Sequence, residues 1–203
     1  MFISPGNTKL GEIPNLSLLP IVTCDRRAGC TQPRPGNTKP QCYDCKTLRM
    51  YKNVAEGRKI NTKLAKDHAK YFAELAKWFN EREAIGVPWF RFHVGGDCPT
   101  PEYAKSLVAF CKAHPTTRFL VFTKRYTWFN RFRSLPENLS VVYSAWPGLP
   151  MSNPKNRPIA WLEDDRQPDD RIPDDAANCP GDCSRCMMCW LLHPGQSVKF
   201  VAH

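Results

Sequence analysis

Eight of the ten cysteines fall into two groups whose spacing is typical of metal ligands. The C-terminal group, in the stretch CPGDCSRCMMC, consists of Cys179, Cys183, Cys186 and Cys189. Structural zinc sites usually take two ligands from each of two separated knuckles, whereas closely spaced thiols can wrap one face of a multinuclear cluster. The spacing of this group therefore favours a [4Fe–4S] cluster, with zinc as the alternative metal.

The N-terminal group has a different spacing and leaves both metals open. Its members are Cys24, Cys30, Cys42 and Cys45. Eleven residues separate Cys30 from the knuckle CYDC, a gap that suits a zinc ribbon as well as an iron–sulfur cluster. Cys98 and Cys111 belong to neither group, and we interpret them as ordinary buried thiols.

Metal binding is a better interpretation of these cysteines than a disulfide framework. The first residues, MFISPGNTKLGEIP, lack the basic region and long apolar core of a secretory signal, so we expect a cytoplasmic protein. Cytosolic thiols are kept reduced. Since no apolar run is long enough to span a bilayer, we expect no membrane partner.

The formal net charge of +10 is unevenly distributed. Lysines and arginines concentrate at 46–70 and 118–133, while residues 163–175 carry seven acids and two arginines. A basic surface suits a polyanion such as DNA, RNA or a phosphorylated small molecule, although a solvated basic face explains the same residues. The acidic stretch is either a linker or a segment that folds over the basic surface.

Strands and helices alternate along most of the chain. Apolar runs predict strands at 16–23, 89–94, 118–123, 139–144 and 197–202. Helices are predicted over 47–84 with a break near Gly57, over 101–113 with Thr100 as cap, and over 128–133. This order predicts an α/β fold with parallel strands, too few for a closed barrel. We expect a partial (β/α) barrel or open parallel sheet in residues 1–150, followed by a linker and the four-cysteine metal-binding segment in 151–203.

The loops that carry candidate functional residues all follow strands. Open parallel sheets bind their ligands at the carboxyl ends of their strands. The loops contain Cys24, the tripeptide Gly95-Gly96-Asp97, and the adjacent cations Lys124 and Arg125. The two cations could hold a carboxylate or phosphate, which makes them candidate catalytic residues. His93, beside the glycines, is either a structural histidine or a third catalytic candidate.

A cysteine loop after the first strand and a Gly-Gly-Asp stretch after the second resemble the radical S-adenosylmethionine superfamily. The resemblance implies a [4Fe–4S] cluster on Cys30, Cys42 and Cys45, and S-adenosylmethionine bound at Gly95, Gly96 and Asp97. It also implies a radical enzyme that acts on an anionic substrate related to nucleotides or nucleic acids. Cys24, as a fourth ligand, would occupy the iron that S-adenosylmethionine must chelate.

The chain is also similar to a family of small phage-encoded proteins, through the phrases NTKLGEIPNLSL, CYDCK, FRFHVGGD, FTKRY and VVYSAWPG and the closing cysteines. This likeness implies no activity. The alternative function is therefore a non-catalytic protein whose zinc or cluster centres staple its loops, while its basic face binds nucleic acid or a host protein.

Overall fold

A seven-stranded parallel sheet forms the centre of the computed structural model, which describes residues 1–33 and 35–202. The strands are β1 (Asn15–Leu16), β2 (Trp89–Phe92), β3 (Arg118–Thr123), β4 (Leu139–Ser144), β5 (Ile159–Glu163), β6 (Ala177–Asn178) and β7 (Ser197–Val201). They lie in the order β1-β2-β3-β4-β5-β7-β6, and every neighbouring pair is parallel. The predicted α/β class is confirmed, and the sheet is open rather than closed into a barrel.

In the described residues, seven α-helices connect or cover the strands. They are α1 (Tyr43–Met50), α2 (Lys52–Leu64), α3 (His68–Asn80), α4 (Pro101–Ala113), α5 (Tyr126–Phe129), α6 (Cys183–Cys186) and α7 (Met188–Leu191). Helix α4 starts as predicted, because the Thr100 hydroxyl accepts a hydrogen bond from the N–H of Tyr103 and Pro101 needs no N–H partner. Within the described chain, no helix combines the length and apolarity that crossing a membrane requires.

Three predicted elements differ from the structure, and one of them is the helix predicted over 128–133, which is α5 at Tyr126–Phe129. The first strand ends at Leu16, because Pro20 cannot donate to a ladder and Ile21 turns the chain with a φ of +67°. The helical stretch 47–84 is three helices, and Gly57 lies inside α2 instead of breaking it. Gly57 is buried because the ring of Phe2 occupies the space that a Cβ would need. Gly57 therefore allows α2 to pack closely against the ring of Phe2.

Strand β5 is the longer of two strands that the sequence prediction missed, the other being the two-residue β6. The prolines between 147 and 180 indicated loops, yet the apolar run IAWLE forms a strand between β4 and β7. Pro158 stands just before this strand, where its missing N–H costs no ladder bond in β5, while its carbonyl accepts from Tyr143. Residues 151–203 thus contribute three strands to the sheet.

The two faces of the sheet are covered by different parts of the chain. Phe90 and Phe92 point to the side of α3 and α4, where they join a cluster of aromatic rings. Trp89 and Arg91 alternate with them and point to the other side. There Trp89 packs edge-to-face on Trp190, whose segment covers that face together with Leu10. The C-terminal cysteines therefore lie against the face opposite α3 and α4.

Candidate metal centres

All four C-terminal cysteines line one cavity of about 40 Å³. Cys179 follows β6 directly, and its N–H donates to the carbonyl of Lys199 at 2.9 Å. Cys183 and Cys186 begin and end α6, which Asp182 caps by accepting the N–H groups of Ser184 and Arg185 at 3.1 and 3.3 Å. The local fold thus presents three of the thiols from a strand end and one short helix.

The fourth thiol, Cys189, reaches the same cavity because the chain reverses between α6 and α7. Met187 makes this reversal in the left-handed region, with a φ of +51°. The carbonyl of Cys189 then accepts the hydroxyl of Ser140 at 2.8 Å, and the indole N–H of Trp190 donates to the carbonyl of Phe90 at 3.2 Å. These bonds hold the cysteine segment on β2 and β4.

Two cations, Arg91 and Lys9, share the lining with the thiols. Burial raises the pKa of Cys189 to about 12, and the nearby Arg91 guanidinium opposes that rise. Burial also raises the pKa of Cys183, which Arg91 and then Lys9 oppose. Both cations therefore favour thiolates, the form that binds metal. The sequence indicated that Arg91 lies on the sheet face opposite Phe90 and Phe92, because it alternates with them along the strand. Nothing in the sequence indicated the position of Lys9 beside the cysteines.

The thiols of neither set lie at the spacing of a tetrahedral zinc site. Zinc–sulfur bonds of about 2.3 Å place tetrahedral sulfur atoms about 3.8 Å apart. Over residues 1–33 and 35–202, three potential ligand atoms lie within 4.8 Å of one another only at His93, Asp97 and Cys98. The C-terminal cavity also exceeds the roughly 10–15 Å³ that one water molecule needs. The C-terminal thiols therefore surround one cavity without the close approach of a formed tetrahedral site.

The N-terminal cysteines lie in the loops beyond the carboxyl ends of β1 and β2. Cys24 follows the turn at Ile21, and Cys30 lies in a single 3₁₀ turn, Gly29–Thr31. Cys42 caps α1 and Cys45 lies in its first turn, where the N–H of Cys45 donates to the carbonyl of Cys42 at 3.1 Å. The predicted position at the strand ends is thus where the loop lies.

Three of these thiols share one electrostatic environment. Burial raises the pKa of Cys24 to about 12, and the charges of Asp97, Cys30 and Cys42 raise it further. Burial raises the pKa of Cys30 as well, which the Lys124 ammonium opposes. Burial raises the pKa of Cys45 to about 11, and the neighbouring Cys42 adds to this rise. Cys24 therefore lies close to Cys30 and Cys42.

The two glycines of the Gly-Gly-Asp stretch are enclosed by protein atoms. A Cβ on Gly96 would lie 2.8 Å from both the carbonyl oxygen of Leu18 and the hydroxyl of Thr23, and its φ is +78°. A Cβ on Gly95 would collide with the ion pair between Asp44 and Arg58. Glycine is needed here for close packing of the chain on itself.

The carboxylate of Asp97 is bound by the chain's own donors. It accepts the Thr123 hydroxyl at 2.8 Å, the N–H of Lys124 at 2.8 Å and the N–H of Cys98 at 2.7 Å. Burial raises the pKa of this carboxyl, and the hydrogen bonds from Lys124 and Thr123 oppose the rise. Asp97 therefore ties the loop after β2 to the end of β3.

Lys124 and Arg125 are both engaged with the cysteine loop and its neighbours. The Lys124 ammonium donates to the hydroxyl of Ser144 at 2.8 Å and lies 5.6 Å from the centre of the Trp146 ring. The Trp146 indole in turn packs on Gly29, beside Cys30. Arg125 donates to the carbonyl of Thr23 at 3.0 Å. Both cations thus hold the N-terminal loop against β3 and β4.

His93 is buried beside this loop with a φ of +55°. One ring nitrogen lies 3.1 Å from the hydroxyl of Tyr103. Burial lowers the pKa of His93 to about 3, so the imidazole is neutral near pH 7. His93, the third catalytic candidate, is therefore buried next to Asp97 and Cys98.

The acidic segment folds over the N-terminal cysteine loop. Gln167 donates to the side-chain oxygen of Gln41 at 3.0 Å, next to Cys42. Arg171 donates to the carbonyl of Trp146 at 3.0 Å, while its guanidinium also binds Asp169. Of the two alternatives for this stretch, a segment that folds over the molecule fits these contacts.

The sequence segments that resemble small phage proteins are distributed over most of the fold described above. A model of the family described as gene product 88 matches residues 3–191, which include six of the seven described strands and both cysteine sets. No curated protein and no solved structure matches the chain. The protein belongs to the gene product 88 family, a family of small phage-type proteins.

Proposed function

We propose that the protein is an iron–sulfur protein with two four-cysteine centres. One centre is held by Cys179, Cys183, Cys186 and Cys189, and the other by Cys24, Cys30, Cys42 and Cys45. The first lies against a face of the sheet, and the second lies at the carboxyl ends of the strands. The two centres fix loops that have little regular structure of their own.

The observation that carries this proposal is the shared cavity of the C-terminal cysteines. Four thiols converge on about 40 Å³ of space, and Arg91 and Lys9 lie beside them. A [4Fe–4S] cluster held by four thiolates carries net negative charge, which two cations in a partly apolar lining stabilise. The close spacing of the four thiols along the chain, all within eleven residues, supports the same occupant.

Iron analysis of single-cysteine variants purified without oxygen tests the proposal. Cys186→Ser and Cys42→Ser should each lower the iron content by about half, because each removes one ligand from a different centre. The matched control is Cys111→Ala, a buried thiol of α4 outside both sets, which should keep all of the iron. Full iron in either ligand variant would contradict the proposed ligand sets.

A radical S-adenosylmethionine enzyme acting on a nucleotide or nucleic-acid substrate is the second candidate function. One observation favours it, the position of the N-terminal cysteines beside Gly95, Gly96 and Asp97 at the strand ends. When bound, the cluster of such enzymes supplies the electron that cleaves S-adenosylmethionine. Lys124 and Arg125 would then have to leave their present partners to hold an anionic substrate.

Three contacts weigh against this second candidate. The Asp97 carboxylate accepts three hydrogen bonds from the chain itself, and the Asp44–Arg58 ion pair covers Gly95. Cys24, as the fourth ligand of the proposed centre, would also occupy the iron that S-adenosylmethionine must chelate. Incubating the reconstituted protein with S-adenosylmethionine and a strong reductant tests the enzyme directly. Formation of 5′-deoxyadenosine would establish it, and its absence together with absent cosubstrate binding would exclude it.

A further inference from the structure

The outer faces of α1 and α2 carry exposed apolar and aromatic side chains among lysines and arginines. On α1 the exposed residues recur at helical spacing and form one stripe, Tyr43, Lys46, Arg49 and Met50. The next two residues, Tyr51 between the helices and Lys52 at the start of α2, are exposed as well. Tyr43 and Met50 are each 61% exposed and Tyr51 is 52% exposed, which is unusual for such large side chains. We call these six residues the α1 stripe.

The cations of the α1 stripe have no acidic partners among residues 1–33 and 35–202. None of Lys46, Arg49 and Lys52 forms an ion pair with any residue in the described part of the chain. The two acids within α1 and α2 are already neutralised, since Asp44 pairs with the buried Arg58 and Glu56 pairs with Lys59 at 2.7 Å. The stripe therefore presents net positive charge to solvent.

The backbone that carries the stripe is held rigidly. The Asp44–Arg58 ion pair joins α1 to α2 beneath the stripe, and Gly95 packs on that pair. The hydroxyl of Tyr43 donates to the carbonyl of Val94, so its ring is fixed in orientation although most of it is exposed. An exposed but fixed ring can stack on a partner with little loss of side-chain entropy.

We propose that the α1 stripe binds single-stranded nucleic acid. Proteins that bind single strands combine cations that follow the phosphates with aromatic rings on which bases stack, and this stripe has both. A duplex keeps its bases paired and would leave the exposed rings of Tyr43 and Tyr51 unused. DNA and RNA single strands share the chemistry of phosphates and open bases, so both are tested.

Fluorescence anisotropy with short oligonucleotides of deoxythymidine and of uridine, both labelled, tests the proposal on the protein as purified. Three phosphate contacts predict an affinity about twenty-fold lower at about 200 mM than at about 50 mM salt. Lys46→Gln/Lys52→Gln should reduce the slope of log affinity against log salt by about 1.4. Tyr51→Ala should weaken binding about tenfold at every salt concentration, because a stacking contact is lost.

Two exposed lysines of α4 provide the matched control. Lys105→Gln/Lys112→Gln removes the same charge from another surface and should change neither the affinity nor the salt slope. Tyr51 makes no side-chain hydrogen bond in the described structure, so Tyr51→Ala should fold with unchanged circular dichroism. An α4 variant that weakens binding as much as the stripe variants would overturn the proposal. So would tighter binding of a duplex, or no binding of either single strand at about 50 mM salt.

Discussion

The carboxylate of Asp44 and the guanidinium of Arg58 form an ion pair that is buried between α1, α2 and the loop after β2. Asp44 is 2% exposed and Arg58 is 6% exposed, and both lie in the space next to Gly95. The pair therefore joins the CYDC knuckle to the strand end that carries Gly-Gly-Asp. It sets the position of Cys42 and Cys45 relative to the sheet.

Removing one partner of this pair should be costly. Arg58→Met leaves the Asp44 carboxylate buried without a counter-charge, and we expect it to lower the free energy of unfolding by about 3–5 kcal/mol. Urea denaturation followed by circular dichroism measures the change. The control is Glu56→Gln, which breaks an exposed pair with Lys59 on the same helix and should leave the midpoint nearly unchanged. A loss below about 1 kcal/mol in Arg58→Met would contradict the proposed role.

Gly96 should tolerate alanine less well than another glycine with a similar backbone conformation. Gly86 has a φ of +72° and open space around it, so Gly86→Ala should cost only the left-handed strain of about 1–2 kcal/mol. Gly96→Ala adds the collision with the Leu18 carbonyl, which we expect to cost about 1–3 kcal/mol more. Urea midpoints of the two variants measure the difference. Equal midpoints would show that Gly96 is not enclosed as described.

Local sequence patterns predicted the elements that depend on local interactions. Thr100 and Pro101 marked the start of α4, and the bounds of β3 and β4 matched their apolar runs. Strand β5 was missed because the prolines around it outweighed its own run of apolar residues. The convergence of the C-terminal cysteines followed from spacing alone, since all four lie within eleven residues.

Local sequence patterns could not predict contacts between segments that are far apart in the chain. Nothing in the sequence indicates that Asp97 accepts hydrogen bonds from Thr123 and Lys124, because these donors come from another strand. The burial of Asp44 and Arg58 has the same cause, since charged residues on helices are normally exposed. The proximity of Cys24 to Cys30 and Cys42 likewise depends on the turn at Ile21.

The acidic segment should contribute stability that depends on pH through Asp169. Its hydrogen bond with Arg171 lowers the pKa of the Asp169 carboxyl below the value of about 3.9 in an unfolded chain. Such a carboxylate stabilises the fold above the unfolded pKa, and the contribution is lost as the pH falls through the folded pKa. Asp169→Asn should therefore lower the urea midpoint at pH 7 and pH 5, and the gap to the wild type should close below about pH 4.

The neighbouring Asp170 serves as the control for this pH series. It is exposed and forms no ion pair in the described structure, so Asp170→Asn should follow the wild type at each pH. A gap for Asp169→Asn that stays constant from pH 7 to pH 3 would show that the Arg171 contact does not act through the charge of the carboxylate.

Metal and sulfide analysis of the wild-type protein, purified without oxygen, tests the central claim most directly. Two [4Fe–4S] clusters predict a brown protein with about eight iron atoms and about eight acid-labile sulfides per chain. A colourless protein with about two zinc ions and no sulfide would contradict the account, because each cysteine set would then hold a single tetrahedral ion.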